Sequence, residues 1–331
     1  MSFVKMIERD FKRIILLCIL TGAVVGVAWW QKHAHRPKKN YTIGILQTAS
    51  HPALDAARES FISYLERVLP NKIEFITKNV QGDTAQAYSV AKSFNQNSEV
   101  NGLFAIATLA AQAAVQTHTD KPIAIAAVTD PVGQGIWTPH GVVCGSSDNI
   151  DVVKQVELMR LLIPSLQQVG ILYSLSEPNS ASLVAAMKNT LAQSSIKTVE
   201  FGISHASDLS LVVAKIADVD LVWVPTDNGV AAALDVVIKQ LRNQSIPLMI
   251  SDNLLMRPGV LAAAGIDYRK AGEYAAQCLE AVLVREKKPS EIPLAAPKIE
   301  TILVNRKIVQ ELGMEKALKN QTGLVWFEGK M

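Results

Sequence analysis

An α/β protein of two Rossmann-like lobes is expected from three observations. From Tyr41 onward, short runs rich in Ile and Val alternate with longer stretches of helical period. Hydrophobic residues make up 49% of the 331 residues and charged ones only 19%, a balance that suits helices packed on buried parallel strands. The alternation also runs twice over, and at roughly 150 residues per domain the length accommodates two lobes.

In the first set, strands are expected near 41–46, 72–78, 102–107 and 122–128, with helices near 52–69, 83–97 and 109–118. The second set has strands near 168–173, 196–201, 219–224 and 246–250, with helices near 149–162, 179–194 and 227–243. A partial repeat follows: a strand near 259–265, a helix near 268–286, a strand near 299–304 and a short helix to about Gly313. Trp223, inside an apolar strand, is expected to pack under a helix, and Trp137, after the turn Asp130-Pro131-Val132-Gly133-Gln134-Gly135, at the cleft mouth or hinge.

The first forty residues read separately. Residues 14–30 are seventeen positions without a charge, preceded by Lys5, Arg9, Lys12 and Arg13. At 1.5 Å per residue such a helix nearly spans a bilayer core. Trp29 and Trp30, followed by Lys32, Arg36, Lys38 and Lys39, suit an interfacial anchor with a polar linker behind it. Residues 1–13 are therefore expected as a basic segment, 14–30 as a transmembrane anchor and 31–40 as a linker. A cleaved signal peptide stays open, because Gly26-Val27-Ala28 offers small residues at the required positions. Four Lys or Arg on each side leave the orientation undetermined by charge.

The net charge of +3 is unevenly spread: residues 1–40 hold eight Lys or Arg and two Asp or Glu, leaving 25 against 28 and a net of −3 beyond them. A nucleic-acid-binding surface is not indicated, and the apolar run before Tyr41 stands where a repressor would carry a basic helix pair. Cys144 and Cys278 are too few for a disulfide framework and lack metal-ligand spacing. The first strand leads into Gln47-Thr48-Ala49-Ser50 rather than Gly-x-Gly-x-x-Gly, and neither a phosphate-binding Gly-Lys-Ser/Thr loop nor a serine nucleophile elbow occurs. Neither catalysis nor a cofactor is expected.

In parallel α/β sheets, ligands bind beyond the carboxyl ends of the strands, where helix N-termini present N–H groups. The positions so fixed are Gln47, Ser50 and His51, then Thr108, then Thr129 and Asp130 in the first set. In the second they are Ser174, Glu177 and Asn179, then Thr226, Asp227 and Asn228, then Ser251, Asp252 and Asn253. Any one of these suits helix capping, worth about 1 kcal/mol. Converging from two lobes, they suit a polar cleft.

Six words along the chain resemble one family: Ile43-Gly44-Ile45-Leu46-Gln47 with His51-Pro52-Ala53-Leu54-Asp55, Ala107-Thr108 with Ala110-Ala111-Gln112-Ala113, Ala127-Val128-Thr129-Asp130-Pro131-Val132, Glu177-Pro178-Asn179-Ser180, Val224-Pro225-Thr226-Asp227-Asn228, and Gly265 to Tyr268 with Gly272. The sequence is similar to the ABC-transporter substrate-binding proteins of the tryptophan- and tyrosine-binding kind, with a type I periplasmic-binding-protein fold. The stretch Val143-Cys144-Gly145-Ser146-Ser147-Asp148 departs from the family, which usually has a Thr before the Gly.

The resemblance implies two lobes, 41–145 with 256–284 and 146–255 with 285–331, joined by crossings near 143–148, 251–258 and 283–298. It implies a small ligand held between them, an amino acid by this likeness, delivered to an ABC permease with a separate ATPase, on the extracytoplasmic face of the membrane. The ligand carboxylate is then expected at Thr108 and Thr129, and its ammonium at Asp227 with Asp130 and Asp252 behind. Gln47 and Asn228 are expected to orient either group, Ser50, His51 and Asn179 to line the cleft, and Tyr268 to stack on an apolar ligand. The alternative on the same fold is a membrane-tethered ligand sensor without transport.

Overall fold

The computed structural model describes residues 41–118, 120–296, 301–314, 318 and 323–329. The expectations for residues 1–40 lie outside the described residues. Among the described residues, no helix is long and apolar enough to cross a membrane.

The first sheet is parallel, in the order β2-β1-β3-β4-β5, from β1 (Tyr41–Gln47), β2 (Ile73–Asn79), β3 (Val100–Ile106), β4 (Ile123–Val128) and β5 (Val143–Ser147). Period-two alternation divides its two faces. Ile43, Ile45, Phe104 and Ile106 pack with α1 (Pro52–Val68), whereas Leu103, Ala105, Ile123 and Ile125 pack with α2 (Thr84–Gln96) and α3 (Thr108–Gln116). Both faces are covered, which is why these strands read as continuous apolar runs. Phe61 of α1 stacks on Phe104 with centroids 3.9 Å apart.

The second sheet has the order β12-β11-β10-β9-β8-β6-β7, from β6 (Gln168–Ser174), β7 (Lys197–Ile203), β8 (Leu221–Val224), β9 (Leu248–Ile250), β10 (Ala262–Gly265), β11 (Thr301–Asn305) and β12 (Leu324–Phe327). Only the β10–β11 pairing is antiparallel. One face packs on α4 (Val152–Leu162) and α5 (Pro178–Gln193) around the fully buried Trp223. The other packs on α6 (Leu209–Val213), α7 (Asn228–Ala232) and α8 (Leu234–Asn243). The helix expected over 227–243 is thus two, broken at Ala233, and neither α6 nor β12 was expected.

The lobe boundaries differ from those expected. Residues 262–265, placed with the first lobe by the sequence, pair with β9 and β11 in the second sheet. The expected crossing near 251–258 is a turn inside the second lobe, where a 3-10 turn at Asn253–Leu255 delivers Leu255 and Met256 to that lobe's core. The chain crosses instead at Ile266 and Asp267, and α9 (Tyr268–Leu283) returns to the first lobe against α1. There Gly272 touches α1 so closely that an added Cβ would lie 2.0 Å from the Ala57 carbonyl oxygen. Residues 285–296 also stay with the first lobe rather than the second: Ala295 bridges to Ser146, and Ile292 packs on Cys144 and Cys278. Of residues 143–148, expected as a crossing, Val143–Ser147 form the edge strand β5, and the chain crosses just after it.

Candidate ligand-binding site

The strand ends of the two sheets line a narrow pocket between the lobes. The first lobe contributes His51, Leu54, Ala127, Asp148 and Tyr268, and the second contributes polar groups at Asn179, Thr226, Asp227, Asn228, Ser251 and Asp252. Apolar wall comes from Ala231, Leu234, Ile250 and Leu255. Ala127 has φ +59, and Ala107 at the neighbouring strand end has φ +73, both in the region that favours glycine. Such strain gathers where surrounding structure fixes a site.

Six of the eleven residues singled out from the sequence line this cavity: His51, Asn179, Asp227, Asn228, Asp252 and Tyr268. The other five do not line it. Gln47 donates to Asp55 (2.8 Å) and accepts from Arg58 (2.6 Å), while the exposed Ser50 donates to the same Asp55 (2.9 Å). Thr108 Oγ1 accepts from the Thr129 N–H (3.3 Å), and Thr129 Oγ1 donates to Asp148 (2.6 Å). Asp130 accepts from the Gly133 N–H (3.0 Å), closing its own turn.

Asp227, expected at the ammonium, is saturated. Its oxygens accept from the Ser174 N–H (2.6 Å) and hydroxyl (2.8 Å), the Ser180 hydroxyl (2.6 Å) and the Val230 N–H (2.8 Å). It caps α7 and ties it to β6 and α5. Beside it, Glu177 accepts from the N–H groups of Asn228 (3.0 Å) and Gly229 (2.8 Å). Burial, together with the Asp227 charge, pushes the Glu177 carboxyl up to about 7.

Two other carboxyls face the cavity with spare capacity. Asp252 accepts the Leu254 N–H (2.8 Å), and burial, with the Asp148 charge nearby, raises it to about 7. Asp148 accepts from Thr129 and from the Tyr268 hydroxyl (3.2 Å), and burial raises its pKa too. Burial and the two carboxylates push the Tyr268 phenol well above its ordinary value, so it stays a donor to Asp148. Tyr268 is 3% exposed, in the core of its own lobe, so the cavity meets it mainly as the anchor of Asp148. Asp148 was not among the expected site residues: it stands one position past β5, and reading 143–148 as a strand would have exposed it to the carboxyl-end rule. Thr226, a strand-end position given no role in the sequence, has its hydroxyl 3.4 Å from that of Thr129 across the cleft.

A set of polar groups drawn from two sheets around one pocket is a solute-binding arrangement, and the comparisons agree. Residues 42–320 match the family described as ABC transporter substrate binding protein. A tyrosine-binding protein of Clostridioides difficile (strain R20291) is 34% identical over 289 residues, covering 84% of this chain and 83% of the relative. The chain belongs to this family. The family is one of solute-binding proteins rather than enzymes.

Among solved structures, an ABC domain from Streptococcus pneumoniae in complex with L-Trp is 29% identical, with TM-score 0.80 over 86% of this chain and 100% of that one. The ligand-free, open structure of a substrate-binding protein with adhesive properties from Clostridium difficile is 32% identical over 88% of this chain and 100% of that one, yet has TM-score 0.64. The likeness is greater to the ligand-bound protein despite its lower identity, in keeping with lobes that touch here through His51 and Asn228 and through Thr129 and Thr226. The two-lobe periplasmic-binding-protein fold is shared with both.

Proposed function

We propose that this chain is the extracytoplasmic solute-binding component of an ABC importer, closing its two lobes on an aromatic amino acid and passing it to a membrane permease driven by a separate ATPase. In this reading the apolar run of residues 14–30 tethers the protein to the membrane. The observation that carries the ligand class is the pair Asp148 and Asp252. Two buried carboxyls, acted on by an Arg257 that is itself paired to Asp235 at 2.9 Å, make a seat for an ammonium group, and a charge-assisted hydrogen bond there contributes about 1.5–3 kcal/mol. Asp227, spent on capping, shapes the wall instead. Thr129 gives its proton to Asp148, so Thr226 is the donor in their 3.4 Å contact, and its hydroxyl turns from Thr129 to meet the ligand carboxylate. The apolar wall at Leu54, Leu234, Ile250 and Leu255 takes the side chain. The tyrosine and tryptophan bound by the relatives support an aromatic one.

Thermal-shift measurements of the purified protein against the twenty amino acids test this reading. Tryptophan or tyrosine is expected to raise the melting temperature in a concentration-dependent way. A uniform lack of response across the twenty would overturn it.

A further inference from the structure

Among the described residues walling the cavity, only His51 has a buried side-chain nitrogen or oxygen without a hydrogen-bond partner: its Nδ1. The residue is 8% exposed. Its other ring nitrogen, Nε2, lies 3.2 Å from Asn228 Oδ1, across the cleft. Asn228 donates its side-chain N–H to Glu177 (2.7 Å), which leaves its oxygen facing the ring, so Nε2 is the protonated nitrogen. Burial pushes the imidazole pKa down and keeps the ring neutral. A neutral ring protonated at Nε2 presents a lone pair at Nδ1.

We propose that His51 sets the side-chain specificity of the site, its Nδ1 accepting a hydrogen bond from the ring N–H or O–H of the bound aromatic amino acid. This rests on the solute-binding reading above and adds to it a selected ligand chemistry. The ammonium is drawn to the two carboxyls, whose charge outweighs a neutral imidazole, so the lone pair at His51 is left for a neutral donor. Tryptophan and tyrosine each carry one such group, and phenylalanine carries none. An acceptor this buried is costly to leave unpaired, and a site built around one rejects the analogue that lacks the donor. Glu177 and Asn228 act through His51 as positioning residues, since they fix which of its nitrogens bears the proton.

Calorimetric titration of the whole protein with two matched pairs tests the assignment: tyrosine against phenylalanine, and tryptophan against 3-benzothienyl-L-alanine, in which sulfur replaces the indole N–H. In whichever pair binds, the donor-bearing member is expected to bind at least about tenfold more tightly. In His51→Leu that ratio is expected to fall to about one, and in Asn228→Leu, where the tautomer is released, to fall partway. A ratio near one in the native protein overturns the proposal, and so does a native ratio preserved in His51→Leu. Equal weakening of both members by His51→Leu also overturns it, since the imidazole would then serve the shared amino-acid moiety or the fold. Should His51→Leu not fold, the native ratios and Asn228→Leu decide alone. Failure of all four ligands to bind overturns the amino-acid reading together with the proposal, whereas binding without donor preference overturns the His51 assignment alone.

Discussion

Asp252 couples ligand capture to protons. Its pKa is pushed up to about 7, because burial and the charge of Asp148 oppose ionisation, while the Leu254 and Leu255 N–H groups and Arg257 favour it only in part. The Tyr268 phenol faces the same pair as a neutral donor. An arriving ammonium favours the carboxylate, so the pKa in the complex falls and binding near neutrality expels a proton. Affinity is therefore expected to rise with pH up to about 7 and to weaken below it by up to roughly tenfold per unit. Calorimetry at pH 6.5 in phosphate and in Tris should give enthalpies that differ by the ionisation of the released proton, and Asp252→Asn should abolish the difference; buffer-independent enthalpies in the native protein would refute the coupling. The opposite sign holds for stability of the empty protein. A carboxyl raised from 3.8 in the unfolded chain to about 7 when folded binds its proton more tightly in the native state, so it costs stability progressively as pH rises from about 4 to 7. The ammonium seat is thus a destabilised site that its ligand relieves. The sequence pointed to Asp227 for this role because capping and ligand binding call on the same short polar side chains at the same strand ends. The four donors on Asp227, two of them side-chain hydroxyls, against backbone N–H groups alone on Asp252, tell the two apart.

At the scale of elements, the seam between α1 and α9 holds the first-lobe half of the site in place. His51 immediately precedes α1 and Tyr268 begins α9, so the distance between the helix axes sets where both side chains stand. Gly272 fixes that distance, because any Cβ would collide with backbone rather than with a side chain able to turn away. Gly272→Ala is expected to cost about 1–3 kcal/mol of stability, as overpacked cores do, and to weaken ligand binding by moving His51 and Tyr268 apart. An unchanged urea midpoint would show that the seam gives way freely. Most strands of both sheets were legible because burial on both faces leaves an apolar run that polar residues cut off sharply. The Ala-rich run at 262–265 was legible as a strand but not as a member of either sheet, since small side chains pack against whichever neighbour the crossing supplies. β5 was misread for a related reason: Cys144-Gly145-Ser146-Ser147 carries little apolar signal, and its burial comes from α9 and from the segment around Ala295 rather than from its own residues.

For the whole molecule, the decisive quantity is how firmly the lobes stay shut without a ligand. Among the described residues, three side-chain hydrogen bonds span the cleft: His51 to Asn228 at 3.2 Å, Thr129 to Thr226 at 3.4 Å and Gln134 Nε2 to the Pro178 carbonyl at 3.5 Å. All lie at or beyond the long end of the hydrogen-bond range, so each contributes no more than about 1 kcal/mol. Against them stand the two buried carboxyls, Asp148 and Asp252, which closure removes from water and sets near each other. Closure of the empty protein is therefore weakly favoured at best, and a ligand that touches both lobes shifts the population by its extra contacts in the closed form. Small-angle scattering is expected to show a larger radius of gyration for the free protein than for the protein saturated with its amino acid. Thr226→Val, which removes one bridging hydroxyl, should enlarge the free form further, and it should weaken apparent affinity by more than the lost closed fraction because the donor to the ligand carboxylate goes with it. Identical scattering curves with and without a ligand that demonstrably binds would mean that the lobes are rigid. The solute would then have to enter through the second recess between them, bounded by Thr48 and Thr84 on one side and by Glu177 and His205 on the other.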